Sequence, residues 1–175
     1  MKTLACVLLL LSAPLLSQNA PAEALDPFAA LAFLEGSWEA KTQGNAGVTA
    51  GGAYTFHREL GGHILARHST STSACKGPAN FDCEHGDLLY VYAEAPNQPL
   101  KSIYFDNEGH VIHYELSAPA PGIAIFLSDA SRPGPRFRLM YELKGAILYG
   151  KFQMQMPGQG EWKSYLEWSG PRVTL

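Results

Sequence analysis

The first indication of the fold lies in residues 54–68, which have the sequence YTFHRELGGHILARH. Apolar and polar residues alternate on both sides of Gly61 and Gly62, and this period of two is typical of β-strands. Glycine adopts positive φ without steric cost, so the glycine pair favours a tight turn between antiparallel strands. The segment therefore predicts a hairpin in which Leu60 lies opposite His63.

Strand patterns of this kind recur about every 10 to 12 residues along the rest of the chain. A short helix precedes them, because Asp26 and Pro27 form a start signal and Gly36 a stop signal. The predicted strands are Ser37–Gln43, Gly52–Glu59, His63–Ser73, Asp87–Glu94, Leu100–Asp106, His110–Ser117, Gly122–Asp129, Arg136–Leu143, Ala146–Met156 and Glu161–Trp168.

Most of these strands are separated by short segments rich in Gly, Pro and Asn, as antiparallel hairpins require. The sequence thus predicts an all-β fold, a ten-stranded antiparallel up-and-down barrel whose short N-terminal helix closes one end. A sandwich of two sheets is the alternative. Closure is favoured because it removes the edge strands at which sheets aggregate.

The composition is that of one folded domain. The chain has 175 residues, of which 46% are hydrophobic and 17% charged, with a net charge of −3. This balance excludes a largely disordered chain and gives no basic surface for nucleic acid.

The N-terminal segment predicts export. Lys2 provides a positive start, Leu4–Leu11 is an unbroken apolar run, and Ala20–Ala22 fits a cleavage site. We therefore expect a signal peptide at residues 1–22, cleaved after Ala22, and a single barrel domain at residues 23–175. The mature protein would be secreted or periplasmic, with no stable membrane span. An uncleaved N-terminal anchor is the alternative.

If the protein is exported, the two cysteines that follow the signal peptide would be in an oxidising compartment. Cys75 and Cys83 lie in a segment rich in Gly and Pro, and in an oxidising compartment such a pair predicts a disulfide. A redox or metal site that includes His85 is the alternative, although the spacing of eight is not a zinc pattern.

Three motifs resemble a known group of barrels. Residues 31–38 have the sequence LAFLEGSW, Tyr54–Phe56 is an aromatic strand, and residues 60–65 have the sequence LGGHIL. Gly36 and Trp38 resemble the G-x-W signature of lipocalins and other calycins. The extended combination resembles a family of secreted bacterial domains of unknown function, distantly similar to nitrobindin-type barrels.

The resemblance implies a ten-stranded lipocalin-like barrel and no particular activity. It makes Gly36 and Trp38 structural residues, and it offers Arg172 as the counterpart of the basic residue that packs on the lipocalin tryptophan. Nitrobindin-like barrels bind haem through a late histidine, and this chain has no histidine after His113. We therefore expect no cofactor.

Alternation assigns side chains to the barrel interior. The two Arg residues at positions 58 and 67 would either fix an anionic headgroup or pair with a neighbouring acid. Flexible methionine would line a pliable pocket or fill the core, and Gly150 would leave room for a bend, a bulge or a ligand. The predicted ligand-binding residues are Tyr54, Phe56, Arg58, Leu65, Arg67, Phe152 and Met154.

No pattern in the chain names a reaction or a metal. The histidines at positions 57, 63, 68, 110 and 113 are scattered, and there is no H-x-H, H-E-x-x-H or G-x-S-x-G motif. A set built from Asp106, His110 and His113 with a serine alternates between faces, so we predict no catalytic and no metal site.

The sequence therefore predicts an exported lipocalin-like protein that binds a small hydrophobic or amphipathic molecule, anionic ones included. Two alternatives remain open: a small periplasmic isomerase or hydrolase, and a filled barrel that acts as an envelope interaction module. The oligomeric state is not predicted.

Overall fold

The computed structural model describes residues 25–42, 51–71, 76, 83–131 and 133–174. Ten strands form one closed antiparallel barrel in which each strand pairs with the next and the last pairs with the first. The predicted up-and-down barrel is confirmed, and the two-sheet alternative is wrong. The strands are β1 (Gly36–Thr42), β2 (Gly51–Glu59), β3 (Ile64–Ser71), β4 (Gly86–Ala93), β5 (Leu100–Asp106), β6 (Val111–Ala120), β7 (Ile123–Ser128), β8 (Arg136–Lys144), β9 (Ile147–Gln155) and β10 (Lys163–Val173).

Two predictions fall on residues outside this description. The expected signal peptide at residues 1–22 lies there, and so does Cys75, the expected disulfide partner of Cys83. Both stay predictions. The helices in the described part of the chain are 3-10 turns, Ala29–Leu34 and Leu60–Gly62, and neither is long and apolar enough to cross a membrane.

The hairpin between β2 and β3 has the predicted register. Arg58 lies opposite Leu65, and the last paired residues are Glu59 and Ile64. The His63 N–H group donates to the Leu60 carbonyl at 3.4 Å, so the chain turns at the two glycines as expected. β2 ends at Glu59 as predicted, but β3 begins at Ile64 and Leu60 does not pair with His63, because Leu60 has a φ of 49° and leaves the extended conformation.

The N-terminal 3-10 helix closes one end of the barrel. Phe28, Leu31 and Leu34 are completely buried under it. The Phe28 N–H group donates to Asp26 Oδ1 at 2.9 Å in the turn before the helix, which begins at Ala29, two residues after the predicted first position, Pro27. The indole Nε1 of Trp38 donates to the Leu34 carbonyl at 2.7 Å and so ties the helix to β1.

The first and last strands are joined by the contact that the lipocalin resemblance suggested. Trp38 lies opposite Arg172, whose guanidinium carbon is 4.4 Å from the centre of the indole ring. Arg172 also donates hydrogen bonds to the carbonyls of Glu35 and Phe33. Gly36 has a φ of +112°, which residues with a side chain rarely adopt, and a side chain there would also collide with Arg172. Both the backbone conformation and the lack of space therefore require glycine at this position.

The last strand is longer than predicted. The prediction was Glu161–Trp168, whereas β10 begins at Lys163 and continues through Gly170 and Pro171 to Val173. A Cβ atom at Gly170 would collide with the backbone of Glu39 on β1, so the glycine allows the two strands to approach closely.

Aromatic rings pack the middle of the barrel. Tyr141 is completely buried, and the ring centres of Phe56, Phe126 and Trp168 lie 5.4, 6.2 and 5.9 Å from it. Gly150 lies directly opposite Trp168, and the indole occupies the place that a side chain at position 150 would take. The space at this glycine is therefore filled by a ring of the protein itself.

We expect Gly150→Ala to lower the free energy of unfolding by about 1–3 kcal/mol, because the added methyl group overlaps the Trp168 ring. Gly160→Ala is the matched control, since nothing lies within 4 Å of that position. Its effect should stay within about 0.5 kcal/mol. Urea unfolding followed by tryptophan fluorescence measures both, and equal stability of the two variants would contradict the packing described.

Arg172→Ala should lower the free energy of unfolding by about 1–2 kcal/mol, because it removes the contact with Trp38 and two hydrogen bonds. Arg172→Lys should recover only part of this loss, since an ammonium group lacks the flat fork that stacks and donates at once. Thermal and urea unfolding give the comparison. Full recovery by lysine would show that charge alone is needed at this position.

Candidate functional site

The side chain of Arg67 crosses the interior of the barrel. It starts on β3, donates from Nη1 to the hydroxyl of Tyr141 on β8, and donates from Nη2 to Oδ1 of Asp87 on β4. Arg67 is only 4% exposed. The guanidinium therefore divides the interior into a packed half, next to the N-terminal helix, and a half that leads to the opposite, open end.

A cluster of polar side chains lies on the open side of this guanidinium. Ser69, Asp87 and Asp106 stand opposite one another on β3, β4 and β5, one inward row beyond Arg67. The Ser69 hydroxyl donates to Asp87 Oδ1. We call the set of Arg67, Ser69, His85, Asp87, Tyr104 and Asp106 the mouth cluster.

Hydrogen bonds connect the mouth cluster in a chain. His85 Nε2 lies 3.4 Å from Asp87 Oδ2 and 3.2 Å from the Tyr104 hydroxyl. That hydroxyl donates to Asp106 Oδ2 at 3.2 Å, and His110 Nδ1 lies 2.9 Å from the same oxygen. These contacts join the interior to the rim of the barrel.

The ionic states of the cluster follow from its contacts. Burial alone would raise the pKa of Asp87, but the charge of Arg67 and hydrogen bonds from His85, Ser69 and Arg67 outweigh it and hold that pKa below its ordinary value. The hydrogen bond to Asp87 raises the pKa of His85. Burial raises the pKa of Tyr104, and the negative charge of Asp87 adds to this. Asp87 is thus an anion and Tyr104 a neutral donor at pH 7.

Two buried polar atoms near the cluster lack a hydrogen-bond partner among the residues that the structure describes. They are Nε of Arg67 and the hydroxyl oxygen of Ser102, whose residue is 1% exposed. Ser102 lies between Val91 and Tyr114 on the neighbouring strands. A buried polar group without a partner costs about 1–3 kcal/mol, so a polar atom placed beside either group would be stabilised.

Above the mouth cluster, the wall formed by β8, β9 and β10 is apolar. Phe137, Phe152, Met154 and Leu166 occupy inward positions of the register, yet each is only half-buried. The rings of Phe137 and Phe152 are stacked at 5.6 Å. Inward side chains that stay partly exposed show that this end of the barrel is not filled like the other.

A cleft of about 440 Å³ lies at the open end of the barrel, beside β3, β4 and β5. Polar groups of the mouth cluster and outward-facing apolar residues both line this cleft. The lining residues are His68, Ser69, Gly86, Asp87, Leu88, Phe105, Asp106 and Asn107.

The seven residues predicted to bind a ligand do not form one group. Phe152 and Met154 lie on the apolar wall of the open half, and Arg67 lies at the boundary between the halves. Tyr54, Phe56 and Leu65 are buried, at 4%, 1% and 0% exposure, and Tyr54 lies opposite Ser69 of the mouth cluster. The ligand-binding role of all of them stays a prediction.

Arg58 lies at the closed end and is fully engaged there. Its guanidinium donates to Glu35 Oε1 at 2.7 Å and to both carboxylate oxygens of Asp26 at 2.9 Å. Its central carbon also lies 4.6 Å from the ring centre of Phe28. The sequence predicted that Arg58 either binds an anionic headgroup or pairs with a neighbouring acid, and the structure shows the pairing.

Apart from Arg67, the residues of the mouth cluster were not among those predicted from the sequence to bind a ligand. The sequence predicts Asp87 only as the first residue of a strand and Tyr104 only as a residue within another strand. Asp106 belongs to the set of polar residues that alternates between faces. The alternation of Asp87 with Leu89 and Val91 carried the signal that this carboxylate points inward. The pairing of β3, β4 and β5 was needed to place it beside Arg67.

Two groups of residues have the composition of metal sites. At the mouth, ligand atoms of His85, Asp106 and Glu108 lie within 4.8 Å of one another. Both oxygens of Asp106 are already used there, since Oδ1 accepts from the N–H groups of Glu108 and His110, and Oδ2 accepts from Tyr104. The second group, His57, Glu59 and His68, lies on the outer face of β2 and β3.

No protein-family model matches this chain, and the comparison with curated proteins gives no similar sequence. The closed ten-stranded barrel is compatible with a lipocalin-like fold.

We expect Arg67→Met and Asp87→Asn each to lower the free energy of unfolding by about 3–5 kcal/mol, because each leaves the other group buried without its partner. The double variant should lose clearly less than the sum of the two. Urea unfolding of the four proteins measures this coupling, and strict additivity would contradict it. The matched control is the exposed pair of Lys101 and Glu94, 2.7 Å apart, whose removal should leave the free energy of unfolding nearly unchanged because water screens the two charges.

The same pair predicts a loss of stability in acid. The pKa of Asp87 is lower in the folded protein than in the unfolded chain, so its contribution is fully present above the unfolded pKa of about 3.9 and is lost as the pH falls below it. Unfolding of the wild type and of Asp87→Asn should therefore converge as the pH is lowered from 5 towards about 2. A constant difference between them across this range would contradict the assignment.

Proposed function

We propose that this protein binds a small amphipathic molecule in the open half of its barrel. The apolar part of the ligand lies against Phe137, Phe152 and Met154, and its polar group lies at the mouth cluster. The observation that carries this proposal is the Arg67 guanidinium, which is buried across the lumen with its Nε unpartnered among the described residues.

The charges favour a neutral polar group on the ligand. Arg67 is balanced by Asp87, and Arg58 by Asp26 and Glu35, so neither cation is left to hold an anion. Asp106 adds a further negative charge at the mouth. A carbonyl or hydroxyl oxygen would accept from Arg67 Nε without adding repulsion, whereas a carboxylate would meet two acidic neighbours.

The affinity would come mainly from the apolar part. Each 100 Å² of apolar surface removed from water contributes about 2.5 kcal/mol, against a cost of association of several kcal/mol. A ligand that buries about 500 Å² against the rings and the methionine would gain about 12 kcal/mol, and after an association cost of about 4 kcal/mol the remaining ~8 kcal/mol corresponds to a Kd in the micromolar range. The single polar contact would fix its orientation.

We further propose that the protein is exported and belongs to the secreted lipocalin-like domains that it resembles, with nitrobindin-type barrels as distant relatives. The apolar run at Leu4–Leu11 and the cysteine pair support export. The packing of Arg172 on Trp38 beside Gly36 supports the lipocalin likeness. The expected lack of a haem group rests on the absence of a late histidine in the sequence.

A second candidate function is catalysis at the same place. The chain of His85, Tyr104 and Asp106 places a histidine of raised pKa beside a neutral hydroxyl donor and a carboxylate. Such a set can donate and accept protons, as an isomerase or hydrolase requires. The observation that would favour this function is conversion of the bound molecule rather than its retention.

The first test is native mass spectrometry of protein purified from its own compartment. We expect a small neutral or weakly polar molecule to co-purify at up to one per chain. Release and identification of this molecule, followed by incubation with the protein, separates a carrier from an enzyme, since only an enzyme alters it.

The second test uses a neutral fluorescent probe, 6-propionyl-2-dimethylaminonaphthalene, which has an apolar ring system and one carbonyl. We expect saturable binding, weakened on the order of tenfold by Met154→Trp, which fills the open half of the lumen. Tyr149→Trp is the matched control on the same strand, because Tyr149 is 38% exposed on the outer face, and it should bind like the wild type. Equal binding by both variants, together with a clean apo mass, would overturn the proposal.

A further inference from the structure

The outer face of the β2–β3 hairpin carries a second site, separate from the lumen. His57 and Glu59 are two residues apart on β2 and therefore point to the same side, away from the interior. His68 joins them from β3, where it lies opposite Thr55 and diagonal to His57. The three side chains are 43%, 32% and 46% exposed, so they are open to solutes.

The potential ligand atoms already converge. Oε1 of Glu59 lies 2.8 Å from His57 Nε2 and 3.2 Å from His68 Nε2. The two imidazole rings are tilted at 38° with their centres 5.0 Å apart. All three atoms lie within 4.8 Å of one another, whereas tetrahedral coordination with bonds of about 2.1 Å needs separations of about 3.4 Å. Metal binding would therefore change the separations between the ligand atoms by about 1.4 Å or less.

The backbone that holds these side chains is well fixed. β2 is paired with β3 from Gly52 to Glu59, which includes His57 and Glu59, and with β1 from Gly51 to Phe56, and closure of the barrel holds this register. The ring of Tyr90 on β4 also packs edge-on against His68, with centres 6.2 Å apart. A site on such a sheet pays little to order its ligands when it binds.

We propose that His57, Glu59 and His68 bind a divalent transition-metal ion, with Zn²⁺ as the best match. Two imidazole nitrogens and one carboxylate oxygen are a preferred donor set for zinc, and water would complete the tetrahedron. The site differs from the histidine and acidic group at the mouth, because there Asp106 is held by backbone N–H groups, whereas here Glu59 contacts only the two histidines among the polar side chains described. This inference does not depend on ligand binding in the lumen.

The test is titration of the full, untagged protein with zinc sulfate, followed by isothermal calorimetry. We expect a zinc-binding event with a stoichiometry of one per chain that is weakened on the order of tenfold or more in His57→Gln, Glu59→Gln and His68→Gln. His63→Gln is the matched control, because His63 lies in the turn of the same hairpin and is exposed, and it should bind zinc like the wild type.

A spectroscopic measurement makes the assignment independent of affinity. Cobalt(II) in place of zinc should give visible absorption typical of tetrahedral nitrogen and oxygen ligands, and this band should disappear in His57→Gln and His68→Gln. His85→Gln tests the group at the mouth. Loss of the band in His85→Gln but not in His68→Gln would overturn the proposal, and so would a wild type that binds no zinc at millimolar concentration.

Discussion

The pairing of the first strand with the last is the constraint on which the rest of the structure depends. An open sheet of ten antiparallel strands would have two unpaired edges and no defined inside. Once β1 and β10 pair, every strand has one face directed to the lumen, and alternation assigns each residue to one side. The stack of Arg172 on Trp38 lies at this junction, and Gly36 is the residue that leaves space for it.

Closure also explains why the interior has two unlike halves. Near the N-terminal helix, aromatic and aliphatic side chains fill the lumen and bury one another completely. Halfway along, the Arg67 guanidinium spans the barrel and needs polar partners, because an ion cannot remain alone in an apolar interior. The Tyr141 hydroxyl and the Asp87 carboxylate provide them from different walls. Beyond this layer the polar groups reach the rim, and the apolar wall of β8–β10 stays partly exposed. This boundary separates the completely packed part of the barrel from the part in which we propose that a ligand binds.

Much of the architecture could be predicted from local sequence, because alternation and turn residues act over a few positions. The register of the β2–β3 hairpin followed from two glycines, and the role of Gly36 and Trp38 from a short motif. The mouth cluster could not be predicted in the same way. His85, Asp87, Tyr104 and Asp106 meet Arg67 only after three strands have paired in register. Arg58 lies on the same side of the hairpin as Arg67, as its alternation predicted. Its acidic partners, however, come from the residues just before and just after the N-terminal helix, which the strand pattern does not include.

The β2–β3 hairpin shows how one short segment can serve two kinds of chemistry. Its inward residues, from Tyr54 to Arg67, join the core and the floor of the lumen, while its outward residues include the two histidines and the glutamate. The period of two keeps these sets on opposite sides of a sheet that is one backbone thick, so each can change without disturbing the other. The sequence pattern made the histidines look scattered because they belong to different strands. The diagonal position of His57 and His68 across the pair, with Glu59 reaching back between them, turns separate surface residues into one group of ligands.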